Sequence, residues 1–167
     1  MSRPPARGRQ AGVALLELAL VATLMLVVLF ATIELGRALT QFKQIVAQAN
    51  AAARYLSTRP VGAGTAEATC LVRFGVIAAT CSGAPLVPGL ETAAVTVAGA
   101  GTTPATQRRQ RTTIPNDTTG VRINLVTVTV SGFRYRLVAA GILNPVFGNV
   151  TSIPFPDIAA THRQYIN

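Results

Sequence analysis

The sequence predicts an α+β protein in which one long N-terminal helix packs on a small antiparallel sheet. Three observations carry this expectation. Residues 13–33 form an almost unbroken apolar run. An amphipathic helical pattern prolongs that run to about residue 58. After Pro60 the pattern changes to short alternating segments punctuated by Gly and Pro. The chain has 167 residues and a mass of 17.4 kDa, room for one domain with an appendage. Half of its residues are hydrophobic and 13% are charged, about half the charged share of an ordinary soluble domain. That composition, with a mean hydropathy of +0.43, excludes a disordered charged tail and argues against a freely soluble enzyme.

The apolar run, VALLELALVATLMLVVLFATI, has Glu17 as its one strongly polar residue; Thr23 and Thr32 are mild. As a helix, 21 residues rise about 31 Å, enough to cross a hydrocarbon core of about 30 Å. The chain continues beyond it as IELGRALTQFKQ, with no small-residue cleavage site of the secretory kind, so the segment is expected to stay as an anchor. Arg3, Arg7 and Arg9 precede the run with no acid among them, which favours a cytoplasmic N-terminus and an exported C-terminal body.

A carboxylate at position 17 costs a few kcal/mol in lipid unless it has a partner. One reading is that Glu17, about a turn inside the run, snorkels to the cytoplasmic interface. The spacing offers another. A basic leader, Gly12, four residues and then Glu17 at the opening of an apolar span resembles the prepilin-type signal of type IV pilins and pseudopilins. The resemblance implies that a membrane aspartyl peptidase cuts between Gly12 and Val13, so that Val13 carries the new amine. Glu17, one helical turn on, can then pair with that amine or with the amine of a neighbouring subunit.

Beyond the span, Leu35, Leu39, Phe42, Val46, Ala49, Ala53 and Leu56 recur at steps of three or four and define one helical face. That face needs either its own domain or another subunit to cover it. Gly36 marks a slight bend, and Pro60 with the following Val-Gly-Ala-Gly ends the element. A single helix of about 45 residues is therefore expected from near Val13 to near Thr58. The IELGR exit at 33–37 and the AAARY stretch at 51–55 make the N-terminal region similar to TadE-like proteins of the tight-adherence (Flp) pilus system. Leu18 departs from that pattern, since an aromatic commonly follows the Glu.

In the remaining chain, Cys70–Ile77 and Ala94–Val97 read as β-rich. Val121, Ile123 and Leu125 are apolar at odd positions, then Val126, Val128 and Val130 at even ones, which predicts either a bulge at 125–126 or a strand buried on both faces. Phe133–Leu137 alternates, and Ser152–His162 is expected to be a last strand limited by Pro154 and Pro156. Residues 99–119 read as loop. The VRINLVTVTVSGFRYRL run and the apolar Gly/Pro segment after it also resemble the C-terminal half of TadE-like proteins, which implies a pilin-like α+β plan. Cys70 and Cys81 are the only cysteines; an even count in an exported domain suggests a disulfide, with two buried free thiols as the alternative.

No residue pattern points to catalysis or to a cofactor. His162 is the only His, which leaves no nucleophile–base pair and no metal-ligand spacing, and Gly99-Ala100-Gly101 lacks the Lys of a phosphate loop. Aromatics are 5% with no Trp, so nucleic-acid stacking has little to build on. Arg108, Arg109 and Arg111 form the one basic cluster, either a solvated loop or a patch for DNA, anionic lipid or an acidic partner.

Four parts are expected: a leader (1–12), a transmembrane helix (13–35), an amphipathic continuation (36–58) and a periplasmic β-rich domain (59–167). The resemblance implies a non-enzymatic minor pilin or pseudopilin of the inner membrane that acts in assembly of the tight-adherence pilus. Its implied partners are the prepilin peptidase, other pilin-like subunits and the assembly machinery. Rival readings are a type II secretion pseudopilin and a basic exported DNA-binding protein of an uptake system. The three leader arginines carry a third of the net charge of +9, so part of the apparent nucleic-acid signal is a topology signal.

Overall fold

The structure is a computed structural model that describes the backbone of residues 8–99, 110–111 and 122–164. Its elements are α1 (Gly8–Ser57), α2 (Thr65–Phe74), β1 (Ala94–Ala98), β2 (Gln110–Arg111), β3 (Arg122–Ser131), β4 (Arg134–Arg136), α3 (Ala140–Phe147), β5 (Ser152–Pro154) and β6 (Ile158–Gln164). The chain divides into two compact units: residues 1–37 with 137–151, and residues 38–136 with 152–167. The class is α+β, as expected, with a long N-terminal apolar helix whose later turns pack on a small antiparallel sheet.

The larger unit is built around β3, the hub of a four-stranded sheet. β1 and β2 pair with it antiparallel, and so does β6, in an unbroken register from Asn124↔Gln164 to Val130↔Ile158. Val126, Val128 and Val130 are buried, while Leu125, Thr127 and Thr129 are half-buried. That alternation puts one apolar face of the strand on the core. The continuous ladder corrects the expected bulge at 125–126: Leu125 simply shares the less buried face with Thr127 and Thr129. Thr127 and Thr161, directly opposite, join hydroxyls at 2.9 Å. Gly99 has a φ of +86° and sits against the Leu125 carbonyl, where a Cβ has no room, so only glycine fits this close approach.

The buried stripe of α1 in this unit is Ile45, Ala49, Ala52, Ala53 and Leu56. Ala49, Ala53 and Leu56 belong to the face anticipated from the sequence. Leu35 and Leu39 do not: they are 71% and 52% exposed, and they continue the apolar exterior of the preceding turns. Three alanines in the stripe let the helix backbone approach its neighbours closely. Phe155 closes the core from the far end of the chain, with ring centroids 5.6 Å from Phe42, 5.2 Å from Phe133 and 6.1 Å from Tyr135. Gln164, at the end of β6, donates its side-chain amide to the Leu56 and Arg59 carbonyls at 3.2 and 2.9 Å, satisfying acceptors that the end of α1 leaves open.

Two further expectations need correction. Cys70–Phe74 is the end of α2 rather than a strand, bounded by Gly64 (φ +84°) and Gly75 (φ +72°), the latter donating its N–H to Leu71. The single strand expected over 152–162 is two, β5 and β6, separated at Phe155–Asp157. β5 pairs with β4 instead of joining the main sheet. Of the expected loop at 99–119, Gln110–Arg111 pair with β3, and residues 100–109 and 112–119 lie outside the described residues. Cys70 and Cys81 form a disulfide with a Cα–Cα distance of 5.2 Å, fixing the loop after α2 to the helix.

Replacing Gln164 with Leu leaves the Leu56 and Arg59 carbonyls without this donor. Denaturant unfolding of the full chain in micelles is expected to show a loss of about 1–3 kcal/mol. Replacing both cysteines with Ser is expected to cost roughly 3 kcal/mol in the same assay.

Candidate functional site

The smaller unit contains the residues that the sequence singles out. Gly12, Val13 and Glu17 all lie on α1 and all are exposed. Val13 and Glu17 stand four residues apart, hence on one face and about 6 Å apart along the axis. The helix is continuous across Gly12, and a Cβ placed there would meet no atom within 4 Å.

From Val13 to Leu26 the helix shows apolar side chains on all sides, with Val13 67% exposed, Leu24 66% and Met25 69%, while Val27, Phe30 and Ala31 are half-buried on the face that leads to Glu34. A helix hydrophobic all round belongs in a core or a membrane, and this stretch has no core around it. By length and composition α1 is able to cross a membrane. Its two threonines fit that use. Thr23 Oγ1 donates to the Ala19 carbonyl and Thr32 Oγ1 to the Val28 carbonyl, each at 2.8 Å, so neither hydroxyl requires water. Glu17 is then the one strongly polar side chain exposed within the run.

Glu34 inverts this pattern. It is the first residue after the run and only 6% exposed, between Ile33 at 50% and Leu35 at 71%. Its carboxylate accepts the N–H of Val138 on Oε1 at 2.9 Å and that of Ala139 on Oε2 at 3.3 Å. Those two groups lead into α3, whose N-cap position is Ala139 and therefore has no capping side chain of its own. The carboxylate accepts from the two residues that enter the helix and places a negative charge near the positive end of its dipole. The sequence reading did not single out Glu34 as a site. An acid at the exit of a span suggests an ordinary solvated flank, and its partners lie 104 and 105 residues away.

His162 is on β6 and half-buried. Arg108 and Arg109 lie outside the described residues, and Arg111 stands opposite Arg122 in the β2–β3 ladder. Among the described residues no group of three His, Cys, Asp or Glu side chains gathers to hold a metal.

Residues 12–54 match the model of the family described as TadE-like protein, the family that the sequence resembles. No curated protein and no solved structure matches the chain. The match covers the apolar run, the IELGR exit with Glu34, and the helix as far as Arg54, and the family points to a protein associated with the tight-adherence pilus.

Replacing Glu34 with Ala is expected to free the Val138 and Ala139 amides. Losing charge-assisted bonds worth about 1.5–3 kcal/mol corresponds to local exchange faster by about tenfold or more. Hydrogen exchange on the reconstituted full chain checks this, with the β3 amides as the unchanged internal reference.

Proposed function

We propose that the chain is a pilin-like component of the tight-adherence pilus, anchored in the inner membrane and acting in assembly rather than catalysis. The observation that supports this most is the coincidence of the family match at 12–54 with a helix whose apolar exterior is interrupted by Glu17. In this reading residues 1–12 are a leader, 13–35 the span, 36–58 its continuation, and 59–167 a periplasmic domain. The disulfide accords with an oxidising compartment.

Prepilin peptidase cleaves between Gly12 and Val13 on the cytoplasmic side. That bond lies within a helix, so the site must unwind before it is cut. Gly12 lowers the cost of unwinding by about 1 kcal/mol relative to Ala, and no packed neighbour opposes it. Cleavage removes three arginines and creates an amine at Val13, one turn from Glu17. When such helices bundle, the amine of one subunit and the Glu17 carboxylate of the next neutralise each other in a medium that tolerates neither alone. The pair sets the axial register between helices, while the apolar exterior supplies most of the contact.

Mass spectrometry of the protein from membranes containing active peptidase is expected to find Val13 at the N-terminus; an intact leader there refutes processing. Glu17→Ala is expected to be cleaved normally yet to enter the assembly at a small fraction of the wild-type level, read by immunoblot of sheared pili or crosslinked complexes. Unaltered incorporation would assign Glu17 to snorkelling.

A further inference from the structure

We infer that residues 137–151, the segment containing α3, lie in the interface of the membrane that α1 crosses, inserted at the level of the lipid headgroups on the exported side. The inference rests on the reading of α1 as a membrane anchor and extends it to a second contact.

Three observations converge on this segment. It has no charged residue, in a chain whose excess charge is otherwise spread through the exported domain. It turns apolar side chains outward: Val138 is 67% exposed, Ile142 41% and Val150 38%. Its own polar groups are largely satisfied internally. The Gly148 N–H reaches the Asn144 carbonyl at 2.9 Å, the Val150 N–H reaches Asn144 Oδ1 at 3.1 Å, and the Leu137 N–H reaches the Thr151 carbonyl at 3.1 Å. Exposed apolar groups over a backbone that needs little water are what a lipid interface accepts.

The tie to Glu34 sets the depth. Glu34 directly follows the apolar run, so it stands at the outer edge of the hydrocarbon, and each residue along α1 moves only about 1.5 Å. Its carboxylate holds the Val138 and Ala139 amides at hydrogen-bond distance, which fixes the start of α3 within a side chain's length of that edge. Burial beneath the segment removes the carboxylate from a boundary where a bare charge is unfavourable. Lipid is therefore the occupant that continuity with the span selects. Because the segment lacks cations, its insertion depends on apolar area and not on anionic headgroups.

The test uses the full chain with its disulfide intact, reconstituted in vesicles of phosphatidylethanolamine alone or mixed with phosphatidylglycerol. A single nitroxide is placed at position 142, 24 or 92 by Ile142→Cys, Leu24→Cys or Thr92→Cys. Collision with oxygen, which concentrates in lipid, is compared with collision with a water-soluble nickel chelate. The ratio at 142 is expected to exceed that at 92 several-fold, to be the same in both lipid mixtures, and to fall toward the value at 92 when Glu34→Ala is added, while position 24 stays lipid-exposed. A water-like ratio at 142 beside a lipid-like one at 24 overturns the inference and leaves the anchor standing. Shielding from both reagents at 142 overturns it in favour of a second copy or another protein. An unchanged ratio in Glu34→Ala refutes the tether, and a water-like ratio at 24 overturns the anchor and this inference together.

Discussion

The unbroken backbone of α1 is the constraint on which the rest of the molecule depends. One helix has to satisfy two different surroundings, and it changes the composition of its surface without changing its geometry. Up to Leu26 its apolar side chains face outward on every side, and the two hydroxyls of the apolar run bond back onto the helix. From Ile45 onward a narrow stripe rich in alanine faces a protein core. No Pro falls between Gly8 and Ser57 to interrupt the hydrogen-bond ladder. On the proposed reading that continuity is what joins an anchor to a folded domain without a flexible linker.

The two acids of the N-terminal helix divide the polar tasks between them. Glu17 is exposed on a surface that otherwise avoids water, so it asks for a partner from outside the chain. Glu34 is buried and has found its partners within it. The sequence alone ranks them the other way, because an acid inside an apolar run attracts notice and an acid at its end does not. Burial and hydrogen bonding separate the two, and on the proposed reading they separate a group that assembles from a group that braces.

The features legible in the sequence were those written in local periodicity. The long helix, its end before Pro60, the alternation of β3 and the α+β class all follow from spacing that a single element imposes on itself. The Cys70–Cys81 bridge follows from a count. What stayed hidden depended on surroundings. The end of α2 reads as β-rich because Val72, Phe74, Val76 and Ile77 are β-branched or aromatic; the stronger local cue was Gly75 at its end. α3 reads as irregular because Gly141 and Pro145 are poor helix formers. Its start is braced by a residue more than a hundred positions earlier. The split of the last strand follows Phe155, which leaves the ladder to fill the core beside Phe42 and Phe133. The bracing of this entry by Glu34 had no local signature.

That same separation has a consequence for the order in which the molecule is made. Glu34 emerges from the ribosome long before Val138 and Ala139 exist. Closing a loop of that length early would cost chain entropy with nothing to offset it. The Glu34 contact therefore closes only after the chain beyond Ala139 has been made, and the fold formed by the rest of the chain is what offsets that cost.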